Sequence, residues 1–147
     1  LKQIVILKKI NKQQINLMKN LIIVVFIALS ILKSNAQDLR KSGSIFGKVE
    51  SNGDVRINGS IKGKFESNGD IRVNGSVKGK IESGGDIRKN GSIVGKVESN
   101  GDVRISGSII GKIEDNGDVR KNGSIIGSAK GVNKAQAAVM FFFDFFN

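Results

Sequence analysis

A 16-residue period constrains this chain more than any other feature. The unit GSIKGKFESNGDIRVN (Gly59–Asn74) has full copies starting at Gly43, Gly59, Gly75, Gly91 and Gly107, and a shortened copy starts at Gly123. Counted instead from its aspartate, the unit has six starts, at Asp38, Asp54, Asp70, Asp86, Asp102 and Asp118. Repetition at a fixed period implies a repeat architecture, in which no unit buries its apolar face alone. The half-units left over at the two ends can pair with each other and close a ring.

Within a unit numbered from its Gly-Ser, the apolar positions are 3 (Ile45, Ile61, Val77, Ile93, Ile109), 7 (Val49, Phe65, Ile81, Val97, Ile113) and 13 (Val55, Ile71, Ile87, Val103, Val119). All but Phe65 are β-branched. With alternating polar residues and recurrent Asn-Gly, they predict short strands and tight turns. Parity sets the turn lengths. A three-residue Ser51-Asn52-Gly53 loop places Val49 opposite Val55 and Lys48 opposite Arg56, whereas a two-residue loop would mix core and solvent residues on one face. By the same reasoning an Ile57-Asn58-Gly59 loop brings Val55 opposite Ile61, which puts all three apolar positions in the core. The fold class expected is all-β, a closed array of short antiparallel hairpins built from five full repeats. The glycines Gly47, Gly63, Gly79, Gly95 and Gly111 then lie on the core face, where a strand glycine marks a bulge or the close approach of another backbone. Three domains follow: 1–36, a repeat domain over 37–131, and a tail over 132–147. The tail holds five of the eight phenylalanines (Phe141, Phe142, Phe143, Phe145, Phe146), bulk enough to plug a central hole or cap a sheet edge. As an exposed patch, it would instead receive a membrane or protein.

Residues 1–36 read as an upstream segment and an export signal. Met18-Lys19-Asn20 precedes an apolar run, Leu21–Leu32, and small residues then lead to a cut between Ala36 and Gln37. The run falls short of the roughly 20 residues that span a bilayer. Six lysines and no acid lie in this segment, so the remaining residues carry 18 basic and 13 acidic side chains, a net charge of +5 spread through the repeats. That distribution predicts a solvated surface of mixed sign and no nucleic-acid partner.

The GKVESNGDVRINGSI-type unit, its five full copies, the signal and the Ala137–Phe143 ending resemble a family of small exported bacterial proteins, the five-fold beta-flower proteins. The resemblance covers about residues 37–146 and implies a closed ring of hairpin petals about a five-fold pseudo-axis. It brings no assigned activity and no site residues. Departures are Gly84 for Asn, Ser106 for the Asn before Gly107, and Asp115 for Ser. The alternative architecture is a β-solenoid of 16 residues per coil, similar to bacterial cytoskeletal β-helices. There each charge would stack on its own copy about 4.8 Å away, which a ring avoids.

Chemistry is sparse. The chain has no Cys, His, Trp, Tyr or Pro, which excludes disulfides, Cys/His metal sites and imidazole acid-base catalysis. Glu50–Asp54 echoes a calcium loop, yet turn chemistry alone explains Asn-Gly-Asp. Glu50 and Asp54 are a carboxylate pair, but they recur in similar settings, whereas a glycosidase needs one pair in unlike environments. The Gly-Ser segments lack the following helix that a phosphate loop requires. No catalytic residue, cofactor or metal is therefore expected. The function expected is a non-enzymatic exported structural or interaction module, in the periplasm, at the cell surface or secreted, with a protein or cell-surface partner. The alternative is a multivalent binder of glycans or anions through Lys48, Arg56 and their copies.

Overall fold

The computed structural model describes residues 3–4, 11–19 and 37–146. The chain divides into two compact units, Leu1–Ser34 and Asn35–Asn147. In the first, residues 11–19 are helical and exposed. Ala36, on one side of the expected cut, lies outside the described residues, and Gln37 opens the first strand of the second unit.

Twelve short strands make up that unit: β1 (Gln37–Lys41), β2 (Ser44–Val49), β3 (Asp54–Ile57), β4 (Ser60–Phe65), β5 (Asp70–Val73), β6 (Ser76–Ile81), β7 (Asp86–Lys89), β8 (Ser92–Val97), β9 (Asp102–Ile105), β10 (Ser108–Ile113), β11 (Asp118–Lys121) and β12 (Ser124–Ser128). Each pairs antiparallel with its sequence neighbours, and β1 pairs with β12 through Arg40↔Ser128 and Lys41↔Gly127, so the sheet closes. This is the closed array of hairpins expected from the period. The two half-units supply the last strand pair, and closure leaves no open sheet edge.

One turn type follows the expected register. Val49 faces Val55 and Lys48 faces Arg56, with Gly53 at φ 89 and its N–H donating to the Glu50 carbonyl at 2.9 Å. The left-handed conformation at the loop's end is one that glycine enters without a Cβ clash.

The other turn departs from expectation and moves a whole row of side chains. Asn58 and Gly59 form a two-residue loop with φ 50 and 81, so Ile57 pairs with Ser60 and Arg56 with Ile61. Two left-handed residues give a hairpin twist that matches the strands, which favours this loop over the three-residue one. A bulge at Val55/Arg56 then restores parity by setting Val55 against Gly63. Position 3 is thereby turned out of the core. Ile45, Ile61, Val77, Ile93 and Ile109 are 46 to 54% exposed, as is the sixth copy, Ile125, at 54%. Positions 7 and 13 do form the core: Leu39, Val55, Ile71, Ile87, Val103 and Val119 are fully buried, Val49, Phe65, Val97 and Ile113 nearly so, and Ile81 is partly buried against them.

With glycine facing the interior, the ring has room for larger groups, and the C-terminal segment fills it. A helix (Lys134–Phe142) is capped by Asn133, whose Oδ1 accepts from the Ala135 and Gln136 N–H groups at 2.9 and 3.4 Å. Its Ala137, Ala138 and Val139 are fully buried. The phenylalanines then meet the inward glycines one to one, in reverse chain order. Phe141 lies against Gly127, Phe142 against Gly111, Phe143 against Gly95, Phe145 against Gly79 and Phe146 against Gly63. Each buried ring contributes roughly 1.5–3 kcal/mol, a large share of the stability of so thin a core. Phe141 also packs edge-on against Phe46, at 5.4 Å between centroids.

Candidate functional site

The barrel wall carries its polar residues in tiers set by strand position. Nearest the three-residue loops lie Glu50, Asp54 and their copies, and two residues further along each strand lie Lys48, Arg56 and theirs. Arg56 Nε donates to Glu50 Oε1 at 2.6 Å, and the same pair recurs as Arg72–Glu66 at 3.0 Å, Arg88–Glu82 at 2.6 Å, Arg104–Glu98 at 2.9 Å and Arg120–Glu114 at 2.8 Å. The guanidinium also donates to the Gly59 carbonyl of the tight turn at 3.2 Å. Lys64 pairs with Asp54 at 3.4 Å, and the aspartates Asp70, Asp86 and Asp102 have equivalent lysines. The tiers interlock along the wall, each cation lying against an acid.

Asn52 secures the loop from within. Its side chain donates to Asp54 Oδ2 and accepts from the Asp54 N–H, both at 2.9 Å. Chiefly through this amide, and with help from Lys64, the Asp54 carboxyl is held below its ordinary value of 3.8, although desolvation opposes the shift. Asp102 is lowered in the same way by Asn100 and Lys112. Asp115 is 95% exposed and is lowered by its 2.6 Å pair with Lys134. The groups that could have served a calcium loop or a hydrolytic pair thus already bind an amide or a cation. Among the described residues, no three acidic side chains gather closely enough to hold a metal, and no helix is long and apolar enough to cross a membrane.

Lys48 and Arg56 line a shallow groove of about 330 Å³ between neighbouring hairpin petals, with Ile45, Glu50 and Asn58. A counterpart of about 330 Å³ holds Ile93, Lys96 and Arg104. At the seam, a groove of about 470 Å³ is lined by Arg40, Asp118, Ile125 and Ser128. In the first groove Arg56 is held by Glu50, and Lys48 lies 3.4 Å from Asp38, so the cations are already neutralised.

Sequence reasoning missed two features at the tight-turn end. One is the row of exposed aliphatics. The other is a set of lysines around the petal tips: Lys41, Lys62, Lys78, Lys89 and Lys121. Among the described residues, Lys62, Lys78 and Lys121 make no ion pair, while Lys41 sits over the Phe46 ring, and Lys89 sits over Phe145 and donates to the Asp144 carbonyl. Asn-Gly spacing was the available signal, since a two-residue turn with a compensating bulge exposes both sets.

Residues 58–131 match the family model described as Bactofilin, polymer-forming cytoskeletal. No curated protein and no solved structure matches the chain. The family match corrects the resemblance to five-fold beta-flower proteins. Branched aliphatics, alternating charges and Asn-Gly are what any short-hairpin repeat requires, so that resemblance rested on turn chemistry common to many folds. It also overturns the exported module, the periplasmic, surface or secreted location and the multivalent glycan or anion binder, because a cytoskeletal polymer works inside the cell. The export reading rested on the basic start, the apolar run Leu21–Leu32 and the small residues before the expected cut at Ala36, and residues 20–36 lie outside the described residues.

Proposed function

The chain belongs to the bactofilin family, and from that premise we propose that it is a non-catalytic structural subunit which assembles with copies of itself into a cytoskeletal polymer. The repeat domain (37–131) with its tail (132–147) is the assembling body, and residues 1–36 form a separate segment. One observation carries the reading beyond the family description. Six branched aliphatics, one per petal, stand 46 to 54% exposed at equivalent positions, on a wall whose arginines each pair with an acid. Scattered apolar residues are ordinary on a surface, but a repeated array at one height marks a surface meant to be covered. Sedimentation and negative-stain microscopy of the purified full chain, without added nucleotide or metal, test it. Concentration-dependent pelleting of regular polymers is expected. A single monomeric species across the micromolar range would contradict it.

A further inference from the structure

Asn-Gly occurs eight times in the chain, four times in the three-residue loops (Asn52, Asn68, Asn100, Asn116) and four times in the two-residue turns at the petal tips (Asn58, Asn74, Asn90, Asn122). In this dipeptide the asparagine amide is open to attack by the next backbone nitrogen, because glycine has no Cβ to shield that nitrogen. The fold sorts the eight into two environments.

At the loops the reacting groups are held. The Gly53 N–H donates to the Glu50 carbonyl at 2.9 Å, so the attacking nitrogen is occupied. Asn52 Nδ2 donates to Asp54 Oδ2 and Oδ1 accepts from the Asp54 N–H, both at 2.9 Å, which fixes both ends of the amide. Asn68, Asn100 and Asn116 are held in the same way, and the N–H groups of Gly69, Gly101 and Gly117 likewise donate to the carbonyls of Glu66, Glu98 and Glu114. Room is lacking too, since a methyl added at Gly53 would collide with the Phe65 carbonyl oxygen.

The tips are the reverse. Asn58 and Gly59 are exposed, and among the described residues neither the Asn58 amide nor the Gly59 N–H makes a hydrogen bond. Nothing stands within 4 Å of a methyl added at Gly59, Gly75, Gly91 or Gly123, so these turns can swing a peptide toward the amide carbon without meeting a neighbour. Cations gather there as well. Lys89 and Lys121 directly precede Asn90 and Asn122, and Lys62 and Lys78 follow Asn58 and Asn74 in the same hairpins. Nearby positive charge favours the deprotonated nitrogen that attacks.

We propose that Asn58, Asn74, Asn90 and Asn122 are sites of selective, uncatalysed conversion to aspartate and isoaspartate, so that the petal tips change charge as a molecule ages. The glycine nitrogen gives up its proton and bonds to the asparagine Cγ, the Cγ–Nδ2 bond breaks, and ammonia leaves with a proton. Water then opens either carbonyl of the five-membered imide. Opening on one side leaves an aspartate side chain, and on the other an isoaspartate whose main chain runs through Cβ. Each event places a negative charge among Lys41, Lys62, Lys78, Lys89 and Lys121, and conversion at all four sites offsets most of that end's excess of cations. Isoaspartate also lengthens a turn that needs two left-handed residues to match the twist of its strands. Two petals are exempt, because Ser42 and Ser106 hold this turn position, at φ 48 and 50.

Incubation of the purified full chain at mildly alkaline pH, followed by tryptic mapping, tests the assignment. Cleavage after lysine and arginine puts tip and loop asparagines on different peptides, 57–62 and 65–72 for example, and ion-exchange chromatography counts the charges gained. Three hydrogen bonds must break at each loop site, so the tip sites should convert faster by about tenfold or more. In guanidinium chloride, where sequence alone acts, the two sets should converge. A variant with Asn58→Ser, Asn74→Ser, Asn90→Ser and Asn122→Ser uses the residue that two petals already hold. It should keep one charge form over the period in which the wild type gives a ladder of four acidic steps. Loop sites that convert as fast as tip sites in the folded chain would overturn the proposal, as would tip sites that stay intact when folded yet convert in guanidinium chloride. An undiminished acidic ladder in the serine variant would place the change elsewhere and overturn it also.

Discussion

Phe143 and Gly95 offer the sharpest probe of how the tail holds the ring. A methyl added at Gly95 would stand 2.5 Å from both Cε1 and Cζ of Phe143 and 2.6 Å from the Arg104 carbonyl oxygen. Gly95→Ala therefore overpacks a well-filled site and is expected to cost about 1–3 kcal/mol. Phe143 is 7% exposed, and Phe143→Ala removes a nearly buried ring at a cost of about 3–5 kcal/mol. Combined, the two should cost less than their sum by about 1–2 kcal/mol, because the vacated ring space accepts the methyl while the Arg104 carbonyl remains in its way. Gly47 supplies the control. Its added methyl would meet the Arg56 carbonyl oxygen at 2.8 Å and Leu39 Cδ1 at 3.6 Å, with no tail phenylalanine among its nearest neighbours. Gly47→Ala with Phe143→Ala should be additive within about 0.5 kcal/mol. Urea denaturation measures all five variants, and at a slope of about 1–3 kcal/mol per molar a coupling of about 1–2 kcal/mol moves the midpoint by roughly 0.3–2 M. If the Gly95 and Phe143 effects simply added, the ring and the glycine would not share space, and the reasoning would be refuted.

Other expectations follow from the same geometry. Ile61 and Ile71 look alike in sequence, yet Ile61 is 54% exposed and Ile71 fully buried. Ile71→Ala should cost about 2–5 kcal/mol, while Ile61→Ser stays within about 0.5 kcal/mol in the monomer; equal losses would return position 3 to the core. Asp54 and Asp102 are held below 3.8 in the fold, so their stabilisation is present above the unfolded value and is lost as pH falls through the lowered folded one. The melting midpoint should therefore be insensitive to these groups between pH 5 and 7 and should drop below about pH 4. Removing the amide with Asn52→Ala should bring the Asp54 titration, followed by carboxylate NMR, back up toward 3.8. No upward movement would show that the amide does not hold it.

Much of the fold was legible from the period and the first turn. Val49 opposite Val55 followed from parity, and ring closure from the half-units at Asp38 and Gly123. The second turn was not legible by parity alone, because the rule assumes an unbroken ladder. A bulge beside Val55 let Asn58-Gly59 take the two-residue form and moved Ile61 outward. The pairing of tail phenylalanines with inward glycines was also hidden, although five such phenylalanines and six such glycines stand in the sequence, since it depends on the tail entering the ring and running backward around it. As for the surface, lysines such as Lys62 and Lys78 looked like ordinary solvated charges until the topology collected them at one end.

Closure of the ring underlies the filled interior, and one measurement bears on it most directly. The natural chain has no cysteine, so Arg40→Cys with Ser128→Cys introduces a single possible disulfide at a paired position of β1 and β12. Antiparallel partners stand about 4.5–5.5 Å apart at Cα, within the range a disulfide spans. In dilute solution under mild oxidation, the closed barrel predicts rapid formation of a monomeric cross-linked species with altered gel mobility and a raised melting midpoint. In a solenoid of 16-residue coils, residues 40 and 128 would lie more than five coils apart, about 25 Å at the strand spacing. Free thiols that persist, or linkage only between chains, would contradict the closed ring.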